Sequence, residues 1–187
     1  MNNHDKIIKR MKNSAISYLA RYEVSEFQFK NTMIRKLSNF DNQLHEELKI
    51  EIVYQIQKEM IASGFIDDKR YAEMKSRSIR RQGGSERLIF SKLKHNGIND
   101  NIIKNAIEIV DEGNNNAEMI AAVNFIRKKN IGVFYKKTFP EEEYDQSLLK
   151  QKWIGSLSRR GFNLSIINKV LNITDIEDTD LVLQDTI

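Results

Sequence analysis

Apolar residues recur three and four positions apart along much of the chain, the spacing of one face of a helix. Ile102, Ile103, Ala106, Ile107 and Val110 form one such stripe, and Met119, Val123 and Ile126 form another. Ile89 and Leu93 begin a third, with Leu88 and Phe90 beside it. No run alternates with period two between hairpin turns, and the chain holds a single proline. The pattern predicts an all-α fold.

Helix ends are marked by local chemistry. In Gly64-Phe65-Ile66-Asp67 the glycine suits a left-handed stop and Asp67 an N-cap, with Ile66 and Tyr71 at the two ends of a hydrophobic staple. Gly97-Ile98-Asn99 repeats the arrangement with Ile98 and Ile103, and Gly161-Phe162-Asn163 repeats it with Phe162 and Ile167. Gly83-Gly84-Ser85 reads as a break followed by an N-cap serine, with Glu86 in the first turn. Pro140 followed by Glu141, Glu142 and Glu143 reads as another helix start, with acids at the positive end of the dipole.

Residues 92–108 align with 156–172 at an offset of 64, matching Leu93 to Leu157, Gly97 to Gly161, Asn99 to Asn163 and Ile102-Ile103 to Ile166-Ile167. A longer helix precedes each copy, over about 67–82 and about 117–130, so the unit has three helices. Extended to the front, the same scheme predicts helices over 7–21, after Ser25 and over 46–62. The expected division is a divergent first repeat at 1–63, a second at 64–112, a third at 113–172 and an acidic tail at 173–187. Tandem helix-turn-helix-like repeats of this kind stack into an elongated, curved array, right- or left-handed.

Composition narrows the class. At 187 residues, 40% hydrophobic and 30% charged, the chain can bury a core while keeping a heavily charged surface. The absence of cysteine excludes disulfides and thiolate metal sites. Residues 1–10 carry lysines without an apolar core, and no apolar run nears the roughly 20 residues that span a bilayer. A cytoplasmic protein is the expectation.

Charge is segregated along the chain. Residues 69–95 hold nine Lys/Arg against two Glu, a local charge of +7, and residues 150–172 hold five Lys/Arg and no acid. Residues 173–187 hold five Asp/Glu and no base. Two readings fit: solvated helix faces ending in a disordered acidic tail, or a basic face for a polyanion.

Catalytic patterns are missing. His4, His45 and His95 are scattered without metal-ligand spacing, and His95 sits at a helix end. Gly83-Gly84 lacks the lysine and strand of a phosphate loop, and no Gly-x-Ser-x-Gly elbow occurs. Asp67-Asp68 is explained by capping, and Glu141 to Glu143 by the helix dipole. The expectation is a non-enzyme with no cofactor and no metal.

Gly64-Phe65-Ile66-Asp67-Asp68-Lys69-Arg70-Tyr71-Ala72, followed by Ser78-Ile79-Arg80-Arg81-Gln82-Gly83-Gly84, is similar in order and spacing to the central signature of the RecX family. Leu88-Ile89-Phe90-Ser91-Lys92-Leu93-Lys94-His95-Asn96-Gly97-Ile98 resembles its basic helix with a Gly-Ile stop. Ser158-Arg159-Arg160-Gly161-Phe162 resembles its closing element, and Leu19-Ala20-Arg21-Tyr22-Glu23-Val24-Ser25 its first helix junction. The resemblance runs over most of 15–171. The chain departs from it in extra residues between Leu37 and Gly64, in the aromatics Phe27 and Phe29, and in Ser85 where proline is common. It implies tandem three-helix repeats in a crescent. It also implies docking into the groove of a RecA–single-stranded DNA filament, limiting filament growth, ATP hydrolysis and strand exchange in repair, recombination and the SOS response.

Candidate contacts follow from the basic stretches. Arg70, Arg77, Arg80 and Arg81 fall at helical spacings that place them on one broad side, with Arg87, Lys92 and Lys94 on the next helix. Lys152, Arg159 and Arg160 supply a second group. Guanidinium forks suit phosphates and carboxylates alike, so sequence-indifferent DNA contact and contact with acidic patches of a recombinase both remain open. Tyr71, Phe90, Phe125, Trp153 and Phe162 are read first as packing residues and second as stacking platforms. Two competing functions are a helix-turn-helix transcription regulator and a helical adaptor without nucleic acid. A monomer without membrane contact is expected.

Overall fold

The computed structural model describes residues 3–184, with side chains from Asp5 onward, so the His4 side chain and the last three residues of the acidic tail lie outside the described residues. The described residues are all-helical: α1 (Asn3–Leu19), α2 (Glu26–Phe40), α3 (Glu46–Ala62), α4 (Asp68–Arg81), α5 (Glu86–His95), α6 (Asp100–Asp111), α7 (Ala117–Lys129), α8 (Glu143–Arg159), α9 (Leu164–Leu171) and α10 (Ile176–Gln184). A 3-10 turn, Gly132–Phe134, lies between α7 and α8.

The predicted helix ends are present in atomic detail. Asp67 Oδ1 accepts from the Lys69 and Arg70 amides at 2.8 and 3.1 Å, and Asn163 Oδ1 from the Ile166 amide at 2.9 Å. Asn99 Oδ1 accepts from the Asn101 amide at 2.9 Å, and Ser85 Oγ from the Leu88 amide at 3.1 Å. Gly64, Gly97 and Gly161 have φ of +71°, +80° and +92°, where a side chain would be strained.

Two expectations are corrected. Helix α8 starts at Glu143, three residues beyond Pro140, whose carbonyl instead accepts from Gln146 Nε2 at 2.9 Å. The acidic segment is not a loose tail over its described part. It forms α10, because Thr179 is fully buried and Val182 and Leu183 pack against the neighbouring core.

The chain divides into two compact units. The first holds the residues up to Ala72 together with Leu93–Ile103, and the second holds Glu73–Lys92 with the residues from Lys104 onward. Helices α4, α5 and α6 are therefore shared between them. The first core gathers Ile7, Met11 and Ala15 of α1, Phe29, Met33 and Leu37 of α2, and Ile52, Val53, Ile56 and Met60 of α3. The second gathers Ala122, Phe125 and Ile126 of α7, Trp153 and Leu157 of α8, and Ile167 and Val170 of α9.

One junction occurs in each unit with the same chemistry. In the first, Ser25 at the N-cap of α2 donates its hydroxyl to the Asn96 carbonyl at 2.7 Å, just before the Gly97 turn. In the second, Ser85 donates to the Arg160 carbonyl at 2.8 Å, just before Gly161. The next amide along is also held in both: Glu26 N–H by Asp68 Oδ1 at 2.9 Å, and Glu86 N–H by Glu118 Oε1 at 2.6 Å. A hydroxyl here satisfies a donor inside its own helix start and a carbonyl at another helix end, so each serine closes two otherwise orphaned helix termini. The glycines let the backbones meet: a Cβ on Gly97 would lie 2.4 Å from Phe27 Cβ, and one on Gly161 would lie 2.3 Å from Ser85 Oγ.

Candidate nucleic-acid interface

The candidate cations separate into three groups once their side chains are placed. Arg80, Arg160 and Arg70 are tied into the fold. The Arg80 side chain is only 10% exposed, and its Nε donates to Asp111 Oδ1 at 3.0 Å, with Nη2 on Asp111 Oδ2. Its Nη1 donates to Glu118 Oε1 at 2.6 Å and to the Gly84 carbonyl at 3.2 Å. Burial alone would lower the pKa of Arg80, but the hydrogen bonds and charges of Asp111 and Glu118 outweigh it and hold it above its ordinary value.

Arg160 donates from Nε to the Gly83 carbonyl at 3.0 Å and from Nη2 to the Gln82 carbonyl at 2.8 Å, closing the end of α4. Its guanidinium also lies over the Phe125 ring, 5.4 Å from the centroid. Arg70 does the same work in the first unit. It pairs with Glu23 at 2.8 Å and donates to the Gly64 and Phe65 carbonyls at 3.1 and 3.3 Å.

Arg77 and Lys94 form loose surface pairs. Arg77 meets Glu73 one helical turn away at 3.4 Å, with half its side chain exposed, and Lys94 meets Asp100. Exposed pairs of this kind are worth about 0–1 kcal/mol and are readily exchanged for another anion.

Arg81, Arg87, Lys92, Lys152 and Arg159 are exposed, and no hydrogen bond or ion pair engages their side chains among the described residues. All five lie in the second unit. Arg87 stands against the α8–α9 turn, its Cβ 3.4 Å from where a Gly161 Cβ would be, and borders an open groove with Phe90, Ser91 and Asn163. The broad side that helical spacing assigned to Arg77, Arg80 and Arg81 thus splits: Arg80 turns inward to its two carboxylates while Arg81 faces solvent.

Among the aromatics, Tyr71, Phe125, Trp153 and Phe162 are buried and serve packing. Trp153 stands edge-on to Tyr135 with centroids 5.3 Å apart, and Phe125 lies tilted against Phe162 at 6.5 Å. The Tyr71 hydroxyl accepts from Asn96 Nδ2 at 3.0 Å, and burial pushes its pKa upward. Phe90 is half-buried and keeps part of its ring on the groove.

Sequence reasoning did not single out Asp111 and Glu118 as the partners of Arg80, nor a further basic run at the end of α7, Arg127, Lys128 and Lys129. The run itself was visible as three consecutive cations in a last helical turn. Among the described residues no group of three or more His, Cys, Asp or Glu side chains could hold a metal ion, and no helix is long and apolar enough to cross a membrane.

The described residues form an all-helical scaffold that carries exposed cations. No family model matches the chain. It is 27% identical over 165 residues to a protein of Myxococcus xanthus named regulatory protein RecX, covering 87% of this chain and 84% of that one. A protein of the same name from Agrobacterium fabrum is 28% identical over 178 residues, covering 91% and 86%. The crystal structure of RecX from Lactobacillus salivarius shares the fold, with a TM-score of 0.57 at 22% identity over 95% of this chain and 99% of that one. The likeness to the two proteins named regulatory protein RecX is one of sequence over most of their length, and the likeness to the crystal structure is one of fold.

Proposed function

We propose that this protein is a cytoplasmic regulator of the RecA recombinase. It binds the RecA–single-stranded DNA filament as a monomer and lowers ATP hydrolysis, strand exchange and SOS co-protease activity without catalysis of its own. The observation that carries this reading is the likeness to proteins named regulatory protein RecX over 87% and 91% of the chain.

Arg81, Arg87, Lys92, Lys152 and Arg159 supply the anion contacts in this reading, since their charges are not already neutralised by the protein. Arg77 and Lys94 join them by giving up weak surface pairs. Arg70, Arg80 and Arg160 contribute indirectly, by fixing the helix ends that present the others. Phosphate contacts of this kind are indifferent to base sequence and fall with salt.

Co-sedimentation with RecA filaments assembled on single-stranded DNA tests the binding. The chain is expected in the pellet with the filament, and Arg81→Ala/Arg87→Ala/Lys92→Ala is expected to shift toward the supernatant. Parent protein that stays in the supernatant contradicts the reading.

A further inference from the structure

The most acidic part of the chain lies against a basic helix end. Residues 173–187 hold five acids and no base, and α10 is built from this segment. Arg127 Nη2 reaches Asp180 Oδ1 at 2.5 Å and Thr179 Oγ1 at 3.4 Å. The Arg127 guanidinium also lies over Phe134, 5.2 Å from the ring centroid. Lys128 and Lys129 follow in the last turn of α7, both exposed and without an ion pair among the described residues.

Asp180 is therefore a carboxylate, carried by the chain itself, paired with Arg127, whose guanidinium lies over the Phe134 ring. A guanidinium fork that accepts a carboxylate also accepts a phosphate. A cation beside an aromatic ring is a pairing that single-stranded nucleic acid engages. Helix α10 has nine residues, too few to be stable alone, and both Ile176 and Leu181 on it remain exposed. It packs on the second core through Val182 and Leu183, buries Thr179, and meets Arg127 through Thr179 Oγ1 and the exposed Asp180 ion pair.

The geometry points to a masked phosphodiester subsite at Arg127, in the basic last turn of α7, with α10 as an acidic strap that competes with nucleic acid for that guanidinium. This rests on the reading that the protein engages a DNA backbone, and adds a site and its regulation. Binding at this subsite displaces the Asp180 carboxylate, so nucleic acid and the docked strap exclude one another.

The test is fluorescence anisotropy of a labelled oligothymidylate with the full chain at low salt. Asp180→Asn removes the competing charge with little change in shape, and should tighten binding by up to about fivefold, the worth of an exposed ion pair. Asp178→Asn changes net charge equally on the same helix but removes no contact to Arg127, and should give no such gain. In an Arg127→Ala background the gain from Asp180→Asn should vanish. No gain from Asp180→Asn overturns the strap while leaving DNA binding intact. An equal gain from Asp178→Asn, or a gain that survives Arg127→Ala, also overturns it by showing a bulk charge effect. Absence of binding by the parent and every variant overturns both the strap and the DNA-backbone reading.

Discussion

Ser85 and Arg160 are joined by a hydroxyl-to-carbonyl hydrogen bond of 2.8 Å, across 75 residues of sequence. The bond fastens the start of α5 to the α8–α9 turn, and its counterpart between Ser25 and Asn96 spans 71 residues. Ser85→Ala is expected to cost about 1 kcal/mol, the usual worth of an N-cap. Gly161→Ala is expected to cost about 2 kcal/mol or more, because φ is +92° and the new Cβ would lie 2.3 Å from Ser85 Oγ. The two should couple: in the Ser85→Ala background the clash partner is gone, so Gly161→Ala should cost less. Urea unfolding of the two single variants and the double variant measures this, and strict additivity would contradict the contact.

Arg80 is expected to behave as a structural residue. Arg80→Met leaves Asp111 and Glu118 facing each other without their shared cation, at a cost of about 3 kcal/mol. Adding Asp111→Asn and Glu118→Gln should recover part of that loss. Thermal melting of the single and triple variants decides it, and an Arg80→Met protein as stable as the parent would remove Arg80 from the fold's supports.

The exposed cations should show the opposite profile. Arg81→Ala, Arg87→Ala and Lys92→Ala together should leave stability within about 0.5 kcal/mol of the parent. The same variant should weaken single-stranded DNA binding and flatten its log–log salt dependence by about 0.7 for each phosphate that is no longer neutralised. Binding and salt slope equal to the parent would show that these side chains touch no phosphate.

Asp68 gives a pH signature. Burial raises its pKa, the amide of Glu26 lowers it, and Asp67 raises it, with a net upward result; Glu26 is raised by burial and by Asp68. The folded state then binds more protons than the unfolded state between the ordinary carboxylate value and the raised one. The cost of holding Asp68 ionised is therefore present at neutral pH. It is relieved as pH falls through the folded pKa, with no further change below the unfolded value. Asp68→Asn keeps an oxygen to accept the Glu26 amide and should be more stable than the parent at pH 7, the difference shrinking toward acid. Urea midpoints across this pH range check the sign, and a difference that grows toward acid would contradict it.

The helix ends were legible because capping is local: Asp67, Asn99 and Asn163 lie within three residues of the amides they hold. The partners of Arg80 were not, since Asp111 and Glu118 lie 31 and 38 residues away and only tertiary packing brings them together. Helical spacing placed Arg80 and Arg81 on one broad side, and about 100° of rotation between neighbours was enough to bury one and expose the other. Helix α10 was hidden for a different reason. Its acids outweigh three packing residues, Thr179, Val182 and Leu183, in any reading of composition, whereas in the fold those three decide its position.

The most direct test of regulation is RecA ATP hydrolysis on single-stranded DNA, titrated with this protein from far below one molecule per recombinase protomer upward. Inhibition at substoichiometric ratios is expected of a protein that acts on a filament rather than on single protomers. Hydrolysis that stays unchanged up to equimolar protein would contradict it.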